Sequence, residues 1–330
     1  MQFFSNTNYD FVRWRWHAII LSLVVILTGA AVIWKNGLQK GVDFEGGTIV
    51  IVKFEQPTEL ERVRGALSAS MPSGGEAVVQ YYGPPANNEV MIRVPRTGAE
   101  AGGDLSREAD AVMAALRKGN LGKFSDPPLG TEIVGPVVGE QLRRQGILAT
   151  VLALAGILIY IALRFQLSFA IGAVAATLHD LFVCMAFLAF FKYDLTLNVI
   201  AGLLTITGYS VNDTIVIFDR VRENMRGMRR DNLSHIVNTA VNQTLSRTVI
   251  TAGTTLLSVV ALYLFGGEVL EGFAFTMLVG IISGTYSTIF IASAIAIMLQ
   301  GRKPVKGQAA PTAAPTTAPA SRKPGRRRVS

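Results

Sequence analysis

Six apolar runs of membrane-spanning length constrain what this chain can fold into. A bilayer core of about 30 Å is crossed by roughly 17–25 apolar residues in a helix. Half of the 330 residues are hydrophobic and only 16% are charged, a composition unlike that of an ordinary soluble domain. We therefore predict an α-helical polytopic membrane protein with six transmembrane helices, at residues 18–34, 147–163, 167–191, 195–218, 249–265 and 273–299.

Basic residues are unevenly distributed among the segments that join these runs. Arg13 and Arg15 precede the first run, arginines crowd the segment after the fourth, and the tail 301–330 ends in a basic cluster. The short loops on the opposite side carry one basic residue, Lys192, although Arg143 and Arg144 also precede the second run on that side. Basic loops mark the cytoplasmic side of a membrane, so we predict a multi-pass protein with both termini in the cytoplasm.

The same distribution bears on the function of the basic residues, whose excess gives a formal net charge of +8. They are scattered over loops and a tail rather than gathered on one folded domain, which argues against nucleic acid as a partner. The first run, 18–34, lacks a convincing cleavage site and is interpreted as an uncleaved anchor. The tail 301–330 is rich in Ala, Pro and Thr; we expect it to be disordered, with weak attraction to anionic membrane lipid.

The chain divides into an N-terminus with the first span (1–34), an outer domain (35–146), a five-span bundle (147–300) and the tail. In the outer domain, strands are predicted at 48–54, 77–82, 89–94 and 131–138, and helices at 57–69 and 105–121. This β-α-β-β-α-β order is that of an α+β ferredoxin-like fold. The domain contains no histidine and no nucleophile with a base, so we predict a docking role without cofactor or metal. Its opening motif has two open interpretations, a tight backbone path or ligand contact: Gly41, Asp43, Phe44, Gly46 and Gly47.

Ionisable residues inside spans are costly and are functional candidates by default. Asp213 lies in the fourth span on a polar stripe with Tyr209 and Asn212, and Arg247 begins a second stripe with Thr251 and Thr255 in the fifth. Burial would favour the neutral form of Asp213, whereas a nearby guanidinium would favour the charged form. The pair is either a static ion pair or a proton-coupled switch, and the switch is favoured because a buried pair contributes little stability.

Three further features of the spans leave their roles open. His179 and Asp180 in the third span either extend a proton route or only bond to neighbouring helices. Gly280 and Gly284 in the sixth span have the spacing of close helix packing. Cys184 is the only cysteine, so it forms no intramolecular disulfide, and we expect a buried thiol.

At this point the motifs resemble those of the SecD/SecF family of protein-export membrane proteins, and within it the smaller-headed member of the pair. The resemblance covers about residues 10–300 and is most specific across the fourth span. It is carried by GVDFEGGT at 41–48, VGPVVGE at 134–140, His179-Asp180, GYSVNDTIVIFDRVREN at 208–224 and LSRT at 245–248.

The resemblance implies a function and partners. The family is related to proton-driven RND exporters, and its pair is thought to use the proton-motive force to pull proteins across the bacterial cytoplasmic (inner) membrane. The implied partners are SecD, the SecYEG channel, YajC, YidC and the translocating preprotein. Asp213 would be the proton-responsive carboxylate and Arg247 its partner, with no hydrolytic chemistry and no cofactor.

Three rival functions remain open from the sequence. A half of a small-molecule RND exporter is disfavoured by the small outer domain. An intramembrane aspartyl protease would pair Asp180 with Asp213 in a dyad, which needs carboxylates about 3 Å apart, but its Gly-x-Gly-Asp signature is absent. A passive assembly scaffold of the export channel would not need Asp213.

Overall fold

The computed structural model describes residues 7–39, 41–71, 77–95, 106–134 and 136–300. The predicted disorder of the tail 301–330 therefore lies outside the described residues. Along the chain, the elements that form one small sheet lie between long helices. The elements are α1 (Arg15–Asn36), α2 (Val42–Glu45), β1 (Gly47–Lys53), α3 (Leu60–Ser70), β2 (Val78–Tyr81), β3 (Glu89–Pro95), α4 (Ser106–Lys118), β4 (Gly130–Val134), α5 (Pro136–Arg164), α6 (Leu167–Phe191), α7 (Leu197–Gly227), α8 (Leu233–Phe265), α9 (Glu268–Ser287), a π-helical turn (Thr288–Ala292) and α10 (Ser293–Gln300).

Six helical segments of this described part are long and apolar enough to cross a membrane, which confirms the multi-pass prediction. They are α1, α5, α6, α7, α8 and the continuous run from α9 through the π-helical turn into α10. Helices α7 and α8 extend well beyond the apolar runs 195–218 and 249–265. Charged residues end an apolar run, but a helix continues past them when one of its faces still packs against another helix. In these extensions, Val221 of α7 and Val237 of α8 lie in one buried cluster.

The second span begins earlier than its apolar run suggests. Helix α5 starts at Pro136, so residues 136–146, assigned above to the outer domain, are helical and continuous with the span. The predicted last strand, 131–138, is wrong from Pro136 onward, where the chain is helical. Pro136 has no N–H to donate to a sheet, and its fixed φ suits the first turn of a helix.

The α/β domain between α1 and α5 has the predicted β-α-β-β-α-β order. Its sheet has the strand order β2-β3-β1-β4, and all neighbours are antiparallel. Helices α3 and α4 cover one face, where Val50 and Ile92 of the sheet pack with Leu67 and Leu116. Residues of β1 and β3 that alternate with these, among them Arg93, point to the opposite face of the sheet. The ferredoxin-like prediction is confirmed.

Small residues let the central helices of the bundle approach closely. A Cβ at Gly280 of α9 would lie 2.4 Å from Cγ1 of Ile206 on α7, and one at Gly284 would lie 3.2 Å from Cβ of Ser210. On the other side of α6, a Cβ at Gly29 of α1 would overlap Ala186. Without side chains at these glycines, backbones pack at short range, and α6, α7 and α9 form the buried centre.

The N-terminal segment is held along the start of α8 by two asparagines one helical turn apart. Asn242 Oδ1 accepts from the Tyr9 N–H at 2.9 Å, and Asn238 Oδ1 accepts from the Phe11 N–H at 2.9 Å. Both amide groups donate in return to the Tyr9 carbonyl oxygen. This contact fixes the approach of the chain to α1.

Candidate functional site

Asp180 is the centre of a buried hydrogen-bond network between three helices. It lies on α6 with 1% of its surface exposed. Its Oδ2 accepts from Ser210 Oγ of α7 at 2.5 Å and from Ser287 Oγ of α9 at 2.7 Å. Its Oδ1 accepts from Ser283 Oγ of α9 at 2.7 Å and lies 3.0 Å from Nδ1 of His179. We call Asp180, His179 and these three serines the Asp180 cluster.

The sequence did not predict the three serines as partners of Asp180: Ser283 and Ser287 were not singled out, and Ser210 was placed only beside the polar stripe of Asp213. Ser283 and Ser287 alternate with Gly280 and Gly284 along one ridge of α9, so the glycine spacing did mark the correct helix face. The chain forms a π-helical turn immediately after Ser287, a local irregularity that often occurs at functional sites. The two glycines pack against Ile206 and Ser210 of α7, and the serine hydroxyls of the same ridge reach Asp180 of α6.

His179 has one satisfied and one unsatisfied ring nitrogen. Nδ1 contacts Asp180, whereas Nε2 is buried and has no hydrogen-bond partner among the described residues. The ring stacks on Tyr286 with centroids 6.2 Å apart, and the Tyr286 hydroxyl donates to the Ala18 carbonyl of α1 at 2.6 Å. The Asp180 cluster is thereby linked to α1 as well.

Asp213 lies between α7 and α8, where its partner is Thr248 rather than Arg247. Thr248 Oγ1 donates to Asp213 Oδ1 at 3.0 Å, and Thr248 is 2% exposed. Asp213 Oδ2 is buried and has no hydrogen-bond partner in the described part of the chain. Arg247 is exposed but near enough to interact with the charge of Asp213. The carboxylate is thus held at one oxygen only.

The predicted polar stripes lie along the exposed side of this pair of helices. Asn212, Arg247 and Thr251 are exposed, and Tyr209 and Thr255 are half-buried. The hydroxyl of Thr255 donates to the carbonyl oxygen of Thr251 within its own helix. Three of the five predicted stripe residues are therefore exposed on α7 and α8.

The two intramembrane carboxylates are not bonded to each other. Both oxygens of Asp180 are engaged by the serines and His179, and the bonded oxygen of Asp213 is engaged by Thr248. This arrangement lacks the shared proton of an aspartyl dyad. Among the described residues, no group of three or more His, Cys, Asp or Glu side chains is arranged to hold a metal ion.

The motif after α1 is placed at the base of the α/β domain. Gly46 has a φ of 72°, a left-handed conformation that suits glycine. A Cβ at Gly41 would lie 2.8 Å from Cγ2 of Thr196 in the α6–α7 loop. Phe44 is buried, and the carboxylate of Asp43 accepts from the Leu197 N–H at 2.9 Å. The glycines of this motif serve a tight backbone path against the helix bundle.

The α6–α7 loop is further tied to the start of α9 by Tyr193. Its hydroxyl donates to Glu271 Oε1 at 2.5 Å and lies 3.2 Å from the Tyr263 hydroxyl. Burial and the hydrogen bond to Glu271 raise the pKa of the Tyr193 hydroxyl above its ordinary value. The phenol therefore stays protonated and remains a donor at any physiological pH.

Comparison with known proteins finds two matching family signatures. Residues 122–302 match the family described as "Protein export membrane protein SecD/SecF, C-terminal". Residues 31–58 match the "SecD/SecF GG Motif". The first match includes the Asp180 cluster and Asp213, and the second includes the glycine motif after α1.

Relatives of known name cover nearly the whole chain. The protein translocase subunit SecF of Magnetococcus marinus is 43% identical over 312 residues, covering 93% of this chain and 98% of the relative. That of Escherichia coli O157:H7 is 38% identical over 291 residues, covering 88% of each.

A solved structure shows the same fold. The crystal structure of SecDF, a translocon-associated membrane protein from Thermus thermophilus, is 32% identical and superposes with a TM-score of 0.79. The match covers 92% of this chain and 40% of that larger chain. Matched signatures on both sides of the α/β domain, relatives aligned almost end to end and a shared fold lead to one conclusion: this chain belongs to the SecF family of protein translocase subunits.

Proposed function

We propose that this chain acts with a SecD partner to use the proton-motive force in protein export, and that Asp213 is the residue that responds to protons. The observation that carries the proposal is the state of its carboxylate. One oxygen is bonded to Thr248, and the other is buried without a partner in the described part of the chain. A carboxylate held at one oxygen can gain or lose a proton with few contacts to rearrange.

The charge state of Asp213 would decide how α7 and α8 pack. When ionised, the carboxylate is attracted to Arg247 and accepts strongly from Thr248. When protonated, it loses the attraction to Arg247 and becomes a donor. The membrane potential supplies roughly 2.3 kcal/mol per charge per 100 mV, which is comparable to the few kcal/mol that separate two conformations of a protein.

Exposed polar side chains beside Asp213 support a membrane partner. Asn212, Arg247 and Thr251 are uncovered on helices that cross the bilayer. Polar groups facing lipid are costly, and such residues normally face a protein interior or a water-filled cavity. A second helix bundle packed on this side would cover them. SecD is the partner that fits, with the Sec channel and its associates YajC and YidC as further members of the assembly.

The proposed location is the bacterial cytoplasmic membrane, with both termini in the cytoplasm and the α/β domain outside. The bias of basic residues among the short loops supports this orientation. The α/β domain would then lie on the side where an exported polypeptide emerges. In this proposal the chain is an accessory translocase subunit without hydrolytic chemistry of its own.

The test is export of a preprotein into membrane vesicles that contain Asp213→Asn, with and without a proton gradient. The amide keeps the size of the side chain and an acceptor for Thr248 but does not titrate in this range. We expect gradient-stimulated export to fall to the level measured without a gradient, at normal amounts of the protein.

Asp219→Asn is the matched control, because it removes an acidic charge from the same helix. Asp219 is about half exposed and pairs with Arg164 at 3.0 Å. We expect this variant to keep its gradient stimulation. Full gradient stimulation in Asp213→Asn would refute the proton role and favour a passive scaffold. If deletion of the whole chain abolished drug efflux but left protein export intact, a small-molecule exporter would be favoured instead.

A further inference from the structure

The turn between α6 and α7 is hydrogen-bonded to the segment that follows α1. The Leu195 N–H donates to the Gln39 carbonyl oxygen at 2.7 Å, and the Gly41 N–H donates to the Leu195 carbonyl oxygen at 2.7 Å. Position 41 is closely packed against the turn, because a Cβ there would lie 2.8 Å from Cγ2 of Thr196 and 3.0 Å from the Leu195 oxygen. Two backbone bonds therefore fix the turn to this segment.

Asp43 adds a hydrogen bond from the same segment to the first turn of α7. Its Oδ2 accepts from the N–H of Leu197, the first residue of the helix, at 2.9 Å. Thr196 Oγ1 accepts from another donor of this first turn, the Val199 N–H. A carboxylate at a helix N-terminus satisfies a free donor and interacts favourably with the helix dipole. Asp43 thus ties the base of the α/β domain to the helix that carries Asp213.

The sheet of the α/β domain makes a third contact with the same turn. Arg93 of β3 pairs with Asp194 at 2.6 Å, and the two side chains are only 9% and 18% exposed. Arg93 lies on the sheet face opposite α3 and α4, so the helix-free face of the sheet is directed at the bundle. An ion pair this well buried holds a defined geometry, because separating it would leave two charges poorly solvated.

These three contacts converge on one helical hairpin that carries both intramembrane carboxylates. Asp180 lies on α6 and Asp213 lies on α7, and the bond from Ser210 to Asp180 joins the two helices in the bundle centre. A displacement of this hairpin would therefore also displace the α/β domain, which is bonded to its turn. Movements of packed elements as rigid bodies are a common way to transmit such changes.

We propose that the α/β domain moves with the α6–α7 hairpin as one body, with Asp43 and the Arg93–Asp194 ion pair as the coupling contacts. Proton-driven movement at Asp213 would thereby become movement of the domain outside the membrane. This rests on the proposed function, in which Asp213 responds to protons. Asp43 and Arg93 are positioning residues, since they act through the hairpin and not on the proton.

The functional test measures gradient-stimulated and gradient-independent export for Asp43→Ala, Asp43→Asn and Arg93→Ala in the full chain with its partner. Alanine removes the bond to Leu197, whereas asparagine keeps an acceptor oxygen there. We expect Asp43→Ala and Arg93→Ala to lose gradient stimulation while keeping gradient-independent export, and Asp43→Asn to keep both.

Lys53→Ala is the matched control for Arg93→Ala. It breaks a different ion pair of the same sheet, from Lys53 of β1 to Glu89 of β3 at 2.9 Å, in which the Lys53 side chain is half exposed. We expect it to keep gradient stimulation. Unchanged stimulation in both Asp43→Ala and Arg93→Ala would overturn the proposal, as would equal loss in Asp43→Asn and Asp43→Ala.

A distance measurement separates failure of this proposal from failure of the proton role. Spin labels on Lys118→Cys of α4 and Phe191→Cys at the end of α6, in a Cys184→Ser background, report the distance between domain and hairpin. We expect the same narrow distance distribution in the chain with Asp213 and with Asp213→Asn, and a broader one in Asp43→Ala. A distance that shifts with Asp213→Asn would refute the rigid body, whatever the export assay shows for Asp213.

Discussion

At the scale of single residues, Asp180 shows how a carboxyl group is accommodated deep in a membrane bundle. Its two oxygens have four hydrogen-bonding neighbours, three of them serine hydroxyls from other helices. A buried charge is tolerated only when its bonding capacity is filled. Because the donors come from α7 and α9, the same bonds that stabilise the charge also fix how those helices pack.

We predict that Ser283→Ala destabilises the isolated chain by about 1.5–3 kcal/mol, the usual range for a hydrogen bond to a charged group. Cys184 provides the measurement, since it is the only cysteine and is buried. The rate at which a thiol reagent labels it in detergent reports opening of the bundle.

Ser258→Ala is the control for this prediction. Ser258 is exposed on α8 and bonds only to the Thr254 carbonyl of its own helix. We expect its Cys184 labelling rate to match that of the unaltered chain. Equal rates for Ser283→Ala and Ser258→Ala would show that the Asp180 cluster does not hold the helices together.

At the scale of elements, the packing of α7 against α9 depends on residues without side chains. The ridge of Gly280 and Gly284 admits Ile206 and Ser210 to short range. A hydropathy profile cannot distinguish this ridge from the lipid-facing side of the same helix, because it averages over residues on all sides. The glycine spacing did indicate a packing face, but it did not indicate which helix lies against it.

We predict that Gly280→Ala destabilises the α7–α9 contact by about 1–3 kcal/mol, the usual cost of overpacking a filled core. The added methyl would lie 2.4 Å from Ile206, well inside a normal carbon contact. Thermal unfolding of the purified chain in detergent measures the change.

The comparison variant is Gly253→Ala on α8, where a Cβ would meet nothing within 4 Å. Alanine favours a helix over glycine by up to about 1 kcal/mol, so we expect unchanged or slightly raised stability. A Gly280→Ala chain as stable as Gly253→Ala would contradict close packing at this ridge.

At the scale of the whole molecule, the α/β domain, the α6–α7 turn and the intramembrane carboxylates form one connected path. The contacts of Asp43 and Arg93 lie at the turn, and the Asp180 cluster and Asp213 lie further along the same helices. Which side of the membrane carries the domain decides whether that path leads toward the exported polypeptide.

We predict that the α/β domain lies outside the cytoplasm. In a Cys184→Ser background, Lys118→Cys on α4 should react with a membrane-impermeant maleimide in intact spheroplasts, because its position is exposed. Arg229→Cys, exposed in the segment between α7 and α8, should react only after the membrane is opened. If only Arg229→Cys reacted in intact spheroplasts, the orientation would be the opposite of the predicted one.

The sequence by itself determined the six spans, the order of strands and helices in the α/β domain, and the ionisable residues inside the spans, Asp213, Asp180 and His179 among them. These features follow from length, periodicity and the cost of a charge in lipid, all of which are local. Only the tertiary structure decided that Ser210, Ser283 and Ser287 surround Asp180, that Thr248 bonds Asp213, and that Asp43 reaches α7. Such contacts depend on the rotation and spacing of neighbouring helices. Hydropathy does not specify either of these, because they are set by the close packing of side chains between helices.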